Sequence, residues 1–84
     1  MNLNEEVTTR LQEILEPEAE ISFKDPSDDG RHFLLKITSE KFANKSRIER
    51  SRMIYAVLDD LISSDTIHAL RLELKTPQEW RKNI

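Results

Sequence analysis

The chain contains no cysteine, so it can form no disulfide and offers no thiolate as a metal ligand or nucleophile. Its only glycine, Gly30, excludes a glycine-rich loop of the kind that cradles nucleotide phosphates. There is no H-E-x-x-H motif, and the two histidines, His32 and His68, have no serine partner at a spacing that suggests a hydrolytic dyad. Paired acids such as Asp28-Asp29 and Asp59-Asp60 read as solvated charge, so enzymatic activity is not expected. No apolar run approaches the roughly 20 residues that span a bilayer. The opening M-N-L-N-E-E-V is acidic and polar where a secretory leader would be basic and then apolar. A cytoplasmic location, or an organelle matrix, is the expectation, with no membrane partner.

What remains is enough for one small domain. The chain has 84 residues, of which 37% are hydrophobic and 35% charged, a balance that fits a globular domain with a heavily charged surface. Its net charge of −3 opposes a general attraction to phosphate backbones.

Leu3, Val7, Leu11, Ile14 and Leu15 form one helical stripe, which predicts a helix from about Asn2 or Asn4 to Glu16, ended by Pro17. Ala19, Ile21 and Phe23 alternate with polar residues as a first strand, and D-P-S-D-D-G (25–30) is turn chemistry. A second strand over 32–39 turns Phe33, Leu35 and Ile37 inward. Ser46 and Glu49 are spaced as a capping box that opens a long helix over about 46–62. Its apolar face gathers Ile54, Tyr55, Val57, Leu58, Leu61 and Ile62. Ile67 then opens a third strand in which Leu70, Leu72 and Leu74 alternate with Arg71, Glu73 and Lys75. Thr76, Pro77 and Glu79 mark the start of a short last helix. The order helix-strand-strand-helix-strand-helix predicts an α+β single domain over 1–84. Its three-stranded mixed sheet has strands one and two antiparallel, strand three parallel to a neighbour, and both long helices on one face.

Three features could carry chemistry. His68 shares the parity of the three leucines, and from spacing alone it reads as a half-buried histidine completing the core edge. His32, in a regular second strand, faces away from Phe33. Two histidines on opposite faces of one sheet cannot bind one metal, so only an irregular strand start or a suitable loop would bring them together. Lys41, Lys45, Arg47, Arg50 and Arg52 crowd the start of the long helix against Glu49 alone. Arg47 and Arg50 flank its core face while Arg52 points to the far side, so the charges surround the helix start; a solvated surface and an anion- or partner-binding surface both remain open. Trp80 either packs against the sheet end or faces a partner.

The segments H-F-L-L-K-I-T-S-E-K-F (32–42), R-I-E-R-S-R-M-I-Y-A-V-L (47–58) and I-H-A-L-R-L-E-L-K-T-P-Q-E-W (67–80) resemble the signatures of the BolA-like family, the last of them most specifically. The resemblance implies a fold like the class II KH domain and a heterodimer with a monothiol glutaredoxin of the CGFS type. It further implies a 2Fe-2S cluster shared in that complex. The glutaredoxin and its glutathione would supply sulfur, and the histidine of the H-A-L motif, His68, would supply nitrogen. Family members often offer a second Cys or His near the loop before strand two; residues 25–31 hold neither, which leaves His32 as the nearest candidate. Two departures stand out. The family's R-H-R reads Arg50-Ser51-Arg52, and the loop before strand two lacks the second donor. The G-x-x-G loop with which KH domains clamp nucleic acid is absent as well.

The resulting expectation is a non-enzymatic partner in iron–sulfur trafficking or iron regulation, monomeric when alone. Its docking face would combine the surroundings of His68, the cluster Lys45, Arg47, Arg50 and Arg52, and the last helix with Trp80. A small DNA-binding transcriptional regulator and a metal-free interaction module are the alternatives.

Overall fold

A computed structural model describes residues 2–82. The first helix, α1 (Leu3–Ile14), is started by Asn2, whose side-chain oxygen accepts the Glu5 N–H at 2.8 Å. Val7 and Leu11 on its stripe are fully buried. The helix stops at Ile14, short of the expected Glu16, because Leu15 already turns extended ahead of Glu16-Pro17. Ile14 consequently falls off the buried stripe and is 36% exposed.

Strand β1 (Glu20–Lys24) pairs antiparallel with β2 (His32–Thr38). Between them the Asp25 carboxylate accepts the Gly30 N–H at 2.7 Å, while Asp28 and Gly30 take positive φ values to complete the reversal. After β2 the chain makes a 3-10 turn, Glu40–Phe42, capped by Ser39, that drops Phe42 into the core with no exposed surface. Helix α2 (Arg47–Ser63) opens with both bonds of the Ser46/Glu49 capping box in place. Strand β3 (Ala69–Lys75) runs parallel to β2, giving the sheet order β1-β2-β3. Helix α3 (Pro77–Lys82) is capped reciprocally by Thr76 and Glu79, with bonds of 2.8 and 3.1 Å.

Phe23, Phe33, Leu35 and Ile37 from the sheet interleave with Val7, Leu11, Ile54, Leu58 and Leu61 from α1 and α2, so both long helices cover one face, as the periodicities predict. Arg10 on α1 forks onto Asp60 on α2 and ties the two helices together. Two details differ from the sequence reading. Tyr55 is 41% exposed, outside the buried face, because the helix turns only Ile54, Leu58 and Leu61 fully inward. Leu70, Leu72 and Leu74 are half-buried, since β3 is an edge strand that α2 overlaps only in part.

Candidate metal centre

The register of β2 and β3 decides where the two histidines lie. His32 pairs with Ala69, so the ladder begins at Ala69 and His68 sits one residue outside it. The leucine parity does not extend to a residue outside the ladder. Asp65, in the left-handed region at φ 65°, swings the chain into β3 and frees His68 from the sheet's alternation. The expectation that the two histidines occupy opposite faces is therefore corrected: their ring centroids lie 6.0 Å apart, edge to face. The ring of His68 is also open to solvent, its side chain 44% exposed, and does not complete the core edge.

Each imidazole is braced in the same way. His32 Nδ1 lies 2.8 Å from Asp29 Oδ2, and His68 Nδ1 lies 3.0 Å from Asp65 Oδ1. An ionised carboxylate only accepts, so each Nδ1 is the protonated nitrogen, and in the neutral ring each Nε2 keeps a free lone pair. Among the described residues neither Nε2 has a hydrogen-bond partner. Carboxylate bracing of a ligating imidazole fixes its tautomer and raises its basicity as a metal ligand. Asp29 is itself firmly placed. The His32 bond, followed by the Arg31 and His32 N–H groups that its Oδ1 accepts at 2.9 and 3.1 Å, holds its carboxyl well below the usual range. Asp29 and Asp65 went unrecognised in the sequence, although D-x-x-H occurs twice, at 29–32 and 65–68, and that repeated spacing is the signal.

The corner offers two imidazole donors. Among the described residues no group of three or more His, Cys, Asp or Glu is arranged to hold a metal ion. Two imidazoles can occupy part of a coordination sphere, and imidazole nitrogen replaces thiolate in some 2Fe-2S centres. Imidazoles of this kind are suited to iron by their donor chemistry.

The basic residues are elsewhere. Arg50 bonds to the Lys45 carbonyl at 3.0 Å, the Leu74 carbonyl at 3.1 Å and Glu79 at 2.7 Å, and its guanidinium stands 5.7 Å from the Phe42 ring centre. With a side chain only 11% exposed, Arg50 ties α2 to β3 and α3. Lys45, Arg47 and Arg52 are exposed around it. Trp80 is half-exposed at the sheet end, with Lys75 Nζ 5.0 Å from its ring centre. These groups cluster at the C-terminal end of β3, whereas the histidines stand at its N-terminal end, so the structure separates what the sequence reading joined into one docking face. Among the described residues no helix is long and apolar enough to cross a membrane.

A family model described as BolA-like protein matches residues 4–79. A BolA-like protein of Dictyostelium discoideum is 41% identical over 58 residues, covering 69% of this chain, which thereby spans about half (51%) of that relative. The structure of BolA1 from Arabidopsis thaliana superposes with a TM-score of 0.83 at 34% identity, covering 94% of this chain and 96% of that one. The BolA domain of SufE1 from the same plant gives 0.79 at 36% identity, covering 94% and 98%.

Proposed function

The chain belongs to the BolA-like family, and from that membership we propose that it is a non-enzymatic partner of a CGFS-type monothiol glutaredoxin, holding a 2Fe-2S cluster jointly with it in iron–sulfur trafficking or iron regulation. One observation carries the reading: two exposed imidazoles meet at one corner, each with Nδ1 held by a carboxylate and Nε2 left to ligate. In the complex, His68 supplies nitrogen and the glutaredoxin and glutathione supply sulfur; His32 stands beside His68 as the second donor. The cluster, when bound, supplies iron and sulfide as cargo and a redox-active centre whose potential nitrogen ligation raises. The chain's own task is to present the two lone pairs. Alone it is a monomer in this reading.

The test mixes the protein with a purified CGFS glutaredoxin, iron, sulfide and glutathione and records the visible spectrum. His68→Ala is expected to change the cluster bands, and His32→Ala to change them in the same direction. A spectrum indifferent to His68→Ala removes the ligand assignment. Partner binding that persists unchanged without any cluster would instead leave a metal-free interaction module.

A further inference from the structure

We infer that the free edge of β3 accepts an extended, acidic segment of a partner protein, which continues the sheet as a fourth strand. In a parallel ladder, alternate residues direct both their N–H and their C=O to the same side. The Ala69 N–H goes to Arg31 and the Lys75 C=O receives the Ser39 N–H, so residues 69, 71, 73 and 75 serve β2. Leu70, Leu72 and Leu74 therefore direct their backbone groups away from the sheet. No strand pairs with that edge among the described residues. Only its far end is closed, where Arg50 donates to the Leu74 carbonyl at 3.1 Å.

An unpaired strand edge is a template for strand addition. Beside it lies a cleft of about 730 Å³ between β3 and the start of α2, floored by the half-buried Leu72 and Leu74. Its charge is one-sided. Glu79 is taken by Arg50 and Glu73 by Lys36, 3.4 Å away, which leaves Arg47, Arg71 and Lys75 without an acidic ion-pair partner among the described residues that line the cleft. A strand laid along this edge would set alternate side chains over Leu72 and Leu74 and beside Arg71 and Lys75. The occupant that fits thus alternates apolar and acidic residues. A second copy of this chain would bring the same cations face to face, and a nucleic acid has no row of N–H and C=O groups at strand spacing. The opposite edge of the sheet is less open, since the Phe23 carbonyl accepts a bond of 3.3 Å from Asn4.

The probe is a capped seven-residue peptide alternating Glu and Val, with two N-methylated forms, one methylated on every Glu and one on every Val. Binding is followed by amide exchange and backbone NMR shifts of the full chain. The parent peptide is expected to slow exchange at the Leu70, Leu72 and Leu74 N–H groups. One methylated form should bind like the parent and the other should lose about tenfold or more, because only one set of peptide N–H groups faces β3. Arg71→Glu combined with Lys75→Glu should weaken the parent peptide by about tenfold. Any other response to methylation overturns the proposal, as does absence of binding. Protection that grows with protein concentration without peptide points to a second copy and overturns it too, and so does displacement of the peptide by an oligonucleotide that leaves those amides unprotected. None of these readouts involves His68 or a cluster, so this inference and the glutaredoxin reading can fail separately.

Discussion

The two ends of β3, roughly 20 Å apart for seven residues at strand rise, use similar chemistry to opposite purposes. At the C-terminal end the Thr76/Glu79 caps are cross-linked to distant parts of the chain. Glu79 receives Arg50 from α2, and Arg50 in turn donates to two backbone carbonyls and covers Phe42. At the N-terminal end the carboxylate bonds are local, Asp29 to His32 and Asp65 to His68, each spanning three residues and open to solvent. Long-range bonds between elements resist unfolding, whereas short-range bonds in exposed turns orient a side chain and add little to global stability. One end holds the fold together, and the other orients two exposed imidazoles.

The largest effect that can break this contrast is on stability. Arg50→Ala removes the donors to Lys45 and Leu74, takes one of Glu79's two partners and uncovers Phe42, and should cost about 2–4 kcal/mol in urea unfolding. His68→Ala should stay within about 0.5 kcal/mol while changing the cluster spectrum. A reversed ranking would mean that the histidine corner is structural.

Next in size is the bracing of the imidazoles. Asp65→Asn keeps a residue that tolerates the left-handed backbone while replacing an obligate acceptor by an amide that can also donate. Asp65→Asn and Asp29→Asn should each weaken cluster retention by about tenfold or more against a chelator. The urea midpoint should not move for Asp65→Asn and should fall only slightly for Asp29→Asn, whose amide oxygen can still accept the Arg31 and His32 N–H groups. A lowered midpoint with unaltered retention would turn the assignment around and make the aspartates loop staples.

Which parts of this were readable in advance follows from the range of each interaction. Parity within the paired strands, the Ser46/Glu49 and Thr76/Glu79 caps and the Val7–Leu11 part of the α1 stripe are local patterns, and these appear in the structure where the sequence puts them, whereas Ile14 and His68, at the ends of their elements, depart from them. The pairing of His32 with His68 depends on where the β2–β3 ladder begins, a fact set by register and by the left-handed Asp65, and neither is visible in an apolar period. The sequence leaves Arg50 open between a solvated and a partner-binding charge because its carboxylate partner lies 29 residues downstream. Glu16 is similar: its carboxylate accepts the buried Ser39 hydroxyl at 2.6 Å and the Glu40 N–H at 2.7 Å, a lock across 23 and 24 residues with no sequence signature.

The smallest effect is the most specific to the comparison, because it follows charge alone. Arg50, assisted by the Thr76 N–H, holds the Glu79 carboxyl down from an ordinary 4.5 to about 2. A carboxyl with a depressed value in the folded state stabilises the protein fully above its ordinary value, and that contribution is lost as pH falls from there through about 2. Glu79→Gln keeps the capping geometry and removes the charge. Urea unfolding should thus show the variant less stable than the native protein at pH 7, with the gap narrowing as the pH is lowered below the ordinary carboxylate value. Solvent screening at a half-exposed carboxylate keeps the gap small. A gap that persisted unchanged into strong acid would assign Glu79's contribution to its shape and capping bonds, and the contrast between the two ends would then rest on Arg50's bonds to backbone carbonyls.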